Sequence, residues 1–164
     1  MKIKSLLTMA LAAVAIVFGV SACGSDDDDE PEVAVATKVA GSYIGNEVIM
    51  VNNDESSNET KTYVITKVTD TSIDLTVPEV GMGGMMTIPS FLVKNIPLVK
   101  SDDNIMGRLI SYSGTVVGAN GAEKAYTVGD MTVLFNDKTV VVKFSLKYGN
   151  MPFAMLTTFT GKRQ

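Results

Sequence analysis

The chain contains no histidine, no tryptophan and a single cysteine among its 164 residues. Each scarcity excludes some chemistry. One cysteine closes no internal disulfide, so the fold is not a small scaffold stapled by cross-links. Zinc sites are built mainly from histidine and cysteine, so the usual zinc patterns are absent. Without histidine the common general base near neutral pH is missing. Without tryptophan there is no indole platform on which a sugar ring would stack. Long apolar runs are scarce too: the N-terminal one is about a dozen residues, short of the roughly 20 that a spanning helix needs.

What stands at the N-terminus is an address. Lys2 and Lys4 precede an apolar stretch from Leu6 to Phe18, which ends at the small residues Ser21 and Ala22. That is the three-part form of a secretory signal. Val20-Ser21-Ala22-Cys23 then resembles the lipobox of bacterial lipoproteins. The resemblance implies that residues 1–22 are a cleaved signal peptide and that Cys23 is diacylated and becomes the new N-terminus. Each buried acyl methylene contributes about 0.8 kcal/mol, so lipid on Cys23 would anchor the chain to a membrane. The alternative is an uncleaved anchor with Cys23 incidental.

Residues 23–37 read as a tether, opening with the acidic run Asp26-Asp27-Asp28-Asp29-Glu30. Like charges repel and extend such a linker. The run also resembles the acidic export signal of surface lipoproteins in Bacteroidetes-type bacteria. That implies an outer-membrane, surface-exposed location, with the periplasmic face as the alternative. The tether explains the net charge of −4: from Lys38 onward, 12 acidic residues balance 12 basic ones. A neutral domain without a basic stripe argues against nucleic acid as partner.

From residue 38 to residue 164 the chain reads as strand throughout, with short β-branched and aromatic runs separated by Gly, Asn and Asp. No stripe of helical period follows the leader. Eight strands are expected, at residues 41–51, 62–68, 72–77, 87–99, 105–117, 123–135, 139–148 and 152–161. Residues 52–58 read as a polar loop and residues 78–86 as a glycine- and methionine-rich connection. Gly129-Asp130 reads as a bulge. In the seventh strand Val140, Val142, Phe144, Leu146 and Tyr148 share one face, opposite Lys143, Ser145 and Lys147. Sequential hairpins favour an all-β, antiparallel up-and-down barrel, which abolishes both sheet edges. A two-sheet sandwich is the alternative.

Val39-Ala40-Gly41-Ser42-Tyr43-Ile44-Gly45 resembles the opening motif of calycin-like (lipocalin-like) β-barrel lipoproteins, a relative of the G-x-W start of lipocalins. The hairpin over residues 63–78 and the ending Phe159-Thr160-Gly161 resemble the same family. The resemblance implies a closed or nearly closed barrel in which Gly41, Tyr43 and Gly45 form the opening strand's motif. In lipocalins the motif tryptophan packs at the closed end beneath a basic residue; here Tyr43 replaces it, with Lys162 or Arg163 as the basic partner.

No catalytic constellation emerges, and neither a cofactor nor a metal is expected. The glycines of residues 81–86 lack the Lys-Ser/Thr and helix of a phosphate loop. Asp102-Asp103-Asn104 lacks EF-hand spacing. Carboxylates such as Asp70 with Asp74, or Glu47 with Glu79, suit glycoside chemistry only if their separation is fixed, and nothing in the sequence fixes it. Met82, Met85 and Met86 are candidates for a soft lid, and Phe144 and Phe159 for a cavity wall, around a small apolar or amphipathic ligand. The expectation is a lipid-anchored, non-enzymatic envelope protein that binds such a ligand. The alternative is a solid barrel acting through its surface.

Overall fold

A computed structural model describes residues 33–82 and 86–164. The leader, Cys23, the acidic run and Met85 lie outside the described residues. Eight strands close into an antiparallel barrel in the order β1-β10-β9-β8-β7-β6-β3-β2. These are β1 (Gly41–Val51), β2 (Asp54–Thr69), β3 (Ser72–Val77), β6 (Phe91–Ser101), β7 (Asn104–Val117), β8 (Glu123–Asn136), β9 (Thr139–Tyr148) and β10 (Met155–Arg163). β4 (Val80–Met82) and β5 (Met86–Ile88) form a separate two-stranded hairpin. The barrel, rather than the sandwich, is what the meander builds.

Alternation along each strand sets the core. β9 buries Val140, Val142, Phe144, Leu146 and Tyr148 in strict period two, and β3 buries Ile73, Leu75 and Val77. At Gly129-Asp130 the β8–β9 register shifts and Asp130 takes a φ of 49°, which is the expected bulge.

Three sequence expectations give way. Residues 52–58 are not a loop: the β1–β2 hairpin turns on Asn52 and Asn53 alone, with φ of 51° and 70°. Asparagine tolerates the left-handed backbone such a two-residue turn requires. β2 therefore begins at Asp54, and its residues 54–62 are exposed or half-buried on both faces. Residues 78–86 are more than a connection, since they carry β4 and the start of β5, and β6 begins only at Phe91. Lastly, Val35–Val39 is a five-residue helix, α1, where the tether was expected to end. Its Ala36 and Val39 are buried in the core.

Because the strands alternate in direction, the barrel has two distinct ends. One holds α1 and the turns at Asp70-Thr71, Asp102-Asp103 and Asp137-Lys138. The other, the mouth, holds the Asn52-Asn53 turn, the β4–β5 hairpin and the connections after β7 and β9.

Candidate functional site

α1 closes its end of the barrel through its own carbonyls. The last carbonyls of a helix lack intrahelical donors. Tyr43 Oη donates to Val39 O at 2.9 Å, and Arg163 donates through Nη1 to Lys38 O at 2.8 Å and through Nη2 to Ala40 O. Tyr43 and Arg163 are direct register partners between β1 and β10. Of the two candidates for the basic partner, Arg163 holds this position, while Lys162 pairs with the outward-facing Ile44. Burial pushes the Tyr43 phenol up and the Arg163 charge opposes it, so Tyr43 stays a donor. Gly41, with a φ of 148°, sits beside the Arg163 guanidinium.

Side chains fill the interior. Phe159 is 0% exposed, and its ring stacks on Tyr63 with centroids 4.0 Å apart and planes 3° from parallel. Gly45 and Gly161 are partners on the neighbouring strands β1 and β10, and the Phe159 ring leans over Gly161. Ile49, Ile65, Leu75, Met131, Leu146 and Met155 pack with them, fully buried. Phe144, expected as a cavity wall like Phe159, is likewise part of this core, edge-on to Phe91.

Among the described residues one charge-bearing side chain is buried: Glu47, 1% exposed. Tyr63 Oη donates to its Oε2 at 2.5 Å, while Oε1 has no partner. The buried Thr157 hydroxyl is also without one, and Thr157 pairs with Ile49, two residues along β1 from Glu47. Lys61, whose charge acts on Glu47, is held 2.7 Å from Glu59. Burial pushes the Glu47 carboxyl above its ordinary value; the Tyr63 bond and Lys61 oppose this, and Glu59 reinforces it. A carboxyl raised on folding adds most stability when protonated, and that contribution is lost as pH climbs through its folded pKa. Unfolding free energy is therefore expected to fall as pH rises above about 4.5, the ordinary value. Glu47→Gln should remove that dependence and raise stability at neutral pH by roughly 1 kcal/mol. Urea titrations of both proteins across the pH range check this, and equal slopes refute it.

The mouth keeps open space. Met82 and Met86 are register partners in the β4–β5 hairpin, whose Val80, Met82 and Ile88 are buried against the barrel core. Beside this hairpin lies an open depression of about 600 Å³ lined by Met86, Lys124, Tyr148, Met151 and Pro152 among others. The Lys124 ammonium lies 5.3 Å from the Tyr148 ring centroid, within cation–π range. Thus Met86 lines open space at the mouth, Met82 packs into the core, and Phe144 and Phe159 fill the barrel.

The other carboxylates weighed from the sequence lie away from Glu47. Asp70 pairs with Lys67 at 2.7 Å, and Asp74 accepts from the Asn95 backbone N–H at 2.8 Å. Glu79 is exposed. Among the described residues no three Asp, Glu, His or Cys side chains gather as metal ligands. Glu47 is the residue whose inward position the sequence reading did not single out. Its parity with Tyr43, Gly45 and Ile49 on β1 was the available signal that it points inward.

A crystal structure of a candidate outer membrane protein from Bacteroides fragilis NCTC 9343 superposes with a TM-score of 0.64 at 19% identity, over 80% of this chain and 53% of that one. The chain thus spans about half the length of that neighbour, and the likeness is one of fold. No curated protein matches. The model of the calycin-like β-barrel domain matches residues 39–162, from the helix end that Tyr43 caps to the close of β10. With an eight-stranded meander closed by β1 on β10, this chain belongs to the calycin-like β-barrel domain family.

Proposed function

We propose that this chain is a lipid-anchored outer-membrane lipoprotein whose barrel is a non-catalytic interaction module. One observation carries the reading: the barrel interior is packed solid, with large side chains such as Tyr63, Phe159, Met131 and Met155 fully buried. Such a core leaves partner recognition to the outer surface and the mouth. The lipobox-like Val20-Ser21-Ala22-Cys23 supports the anchor, and the Bacteroides outer-membrane neighbour agrees with the location. The acidic run supports display on the cell surface. A second reading, a small amphipathic ligand, is favoured by the depression at the mouth, where methionines and Tyr148 offer apolar contact and Lys124 a cation.

Mass spectrometry of the protein from the membranes of its own host tests both. The expected N-terminal peptide begins at Cys23 and carries the mass of a diacylglyceryl group, and protease added to intact cells removes the barrel. An unmodified Cys23, or an intact leader, overturns the anchor. A stoichiometric small molecule retained in native spectra moves the conclusion to the second reading.

A further inference from the structure

The barrel wall is incomplete between β6 and β7. Their ladder runs only from Leu98 opposite Gly107 to Ser101 opposite Asn104. β7 pairs with β8 far beyond that, to Val117 opposite Glu123. Above Gly107 the other edge of β7 therefore faces a slot of about 530 Å³, whose far rim is β6 from Phe91. A strand edge with unpaired N–H and C=O groups is a template for another strand unless charge, proline or cover blunts it. Residues 109–117 carry neither charge nor proline, and Ile110 is 78% exposed.

The slot is built rather than frayed. Its floor is aromatic: Tyr126 lies 4.8 Å from Phe91 and 6.2 Å from Tyr112, centroid to centroid. Tyr126 lies across Gly114, where a Cβ would come within 2.5 Å of the phenol oxygen. From there the phenol donates to Leu92 O, on the opposite rim, at 2.6 Å. That bond is what an incoming backbone N–H would make. The phenol's pKa is pushed up to about 12, chiefly by burial, so it remains a donor. Lys94 is exposed on the β6 rim, and no acidic side chain lines the slot.

We infer that the β6–β7 slot is the docking site of an extended peptide from a partner protein. The peptide adds as a strand along β7, sets an apolar side chain on the aromatic floor and places an acidic group against Lys94. Strand addition draws affinity from main-chain hydrogen bonds and specificity from alternate side chains, which matches free edges over an apolar floor. Lys94, the one cation among the residues lining the slot, selects the acid. Tyr126 holds the place until the peptide arrives. This deepens the interaction reading and rests on its partner-binding part, not on the lipid anchor.

Hydrogen exchange of the full chain tests it, with a synthetic ten-residue peptide of alternating Val and Thr carrying one Asp, and a control with Lys for Asp. Saturable protection is expected at residues 108–117 and 91–97, with exchange slowed about fivefold or more. The Asp peptide should bind about fivefold tighter than the Lys peptide, and Lys94→Glu, on the exposed rim, should reverse that order. Tyr126→Phe, which frees Leu92 O, should tighten binding about threefold. Protection along β2 instead, or no saturable change with either peptide, overturns the proposal. Protection of the same residues by self-association without peptide makes a second copy the occupant and also overturns it. Either result leaves the Cys23 anchor to its own mass-spectrometric test.

Discussion

Gly45→Ala is expected to leave little or no folded barrel. A Cβ at this position would lie 2.0 Å from Thr160 O and 2.4 Å from the Cα of Gly161. Both atoms are backbone of the neighbouring strand, so no side-chain rotation relieves the clash. The β1–β10 ladder would have to spread at the seam where the barrel closes, where Gly45 pairs with Gly161. Overpacking of a core commonly costs about 1–3 kcal/mol, and a backbone clash at a closing seam belongs at or above the top of that range. Against a total stability of about 5–15 kcal/mol, this shifts the urea midpoint by about 1–2 M or abolishes the transition. Gly81→Ala is the control, because nothing lies within 4 Å of a Cβ there. A Gly45→Ala midpoint close to the parent's would show that β1 and β10 do not approach as described.

Phe159→Ala should be nearly as severe and should also speak to Glu47. Truncating a buried phenylalanine costs about 3–5 kcal/mol from lost transfer energy and the cavity left behind. The ring stacks on Tyr63, and Tyr63 holds Glu47 Oε2. Removing it opens space beside a carboxyl that burial chiefly keeps high, so water entering there should return the carboxyl toward its ordinary value. The expected result is a large fall in stability together with a shallower dependence of stability on pH. A loss under about 1.5 kcal/mol would mean that the surrounding core collapses onto the gap. A large loss with the parent's pH dependence intact would separate Glu47 from the stacked pair.

How much of this was legible in the sequence depended on whether a segment has one wet and one dry face. β3 and β9 do, and their alternation gave their bounds to the residue. The start of β2 does not: none of residues 54–60 is buried on either face, so their polarity read as loop. α1 spans five residues, too few for a 3.6-residue period to declare itself. The hairpin in residues 80–88 is short and rich in Gly and Met, which carry little strand signal. At the site, the Gly41-Tyr43-Gly45 motif pointed to the closed end, and Arg163 was one of two residues considered for it. Phe144 and Phe159 were read as inward-facing, and they are. Whether an inward ring fills a barrel or lines a cavity depends on what meets it from strands far away in sequence, as Tyr63 meets Phe159. The β6–β7 slot was beyond reach, because where a ladder stops is a matter of register rather than composition.

The β1–β10 seam also bears on time. It joins Tyr43, near the first strand's start, to Arg163, near the last strand's end, so the contact that completes the barrel is among the farthest apart along the chain. Folds dominated by such distant pairings form slowly, on scales of about milliseconds to seconds, because loop closure must precede the contacts that reward it. Until β10 has been synthesised, the first strand has no partner on that side, and α1 lacks the guanidinium that binds Lys38 O and Ala40 O. A chain that ends short of β10 therefore cannot finish this fold. It stays an open, unlatched meander until the last strand arrives.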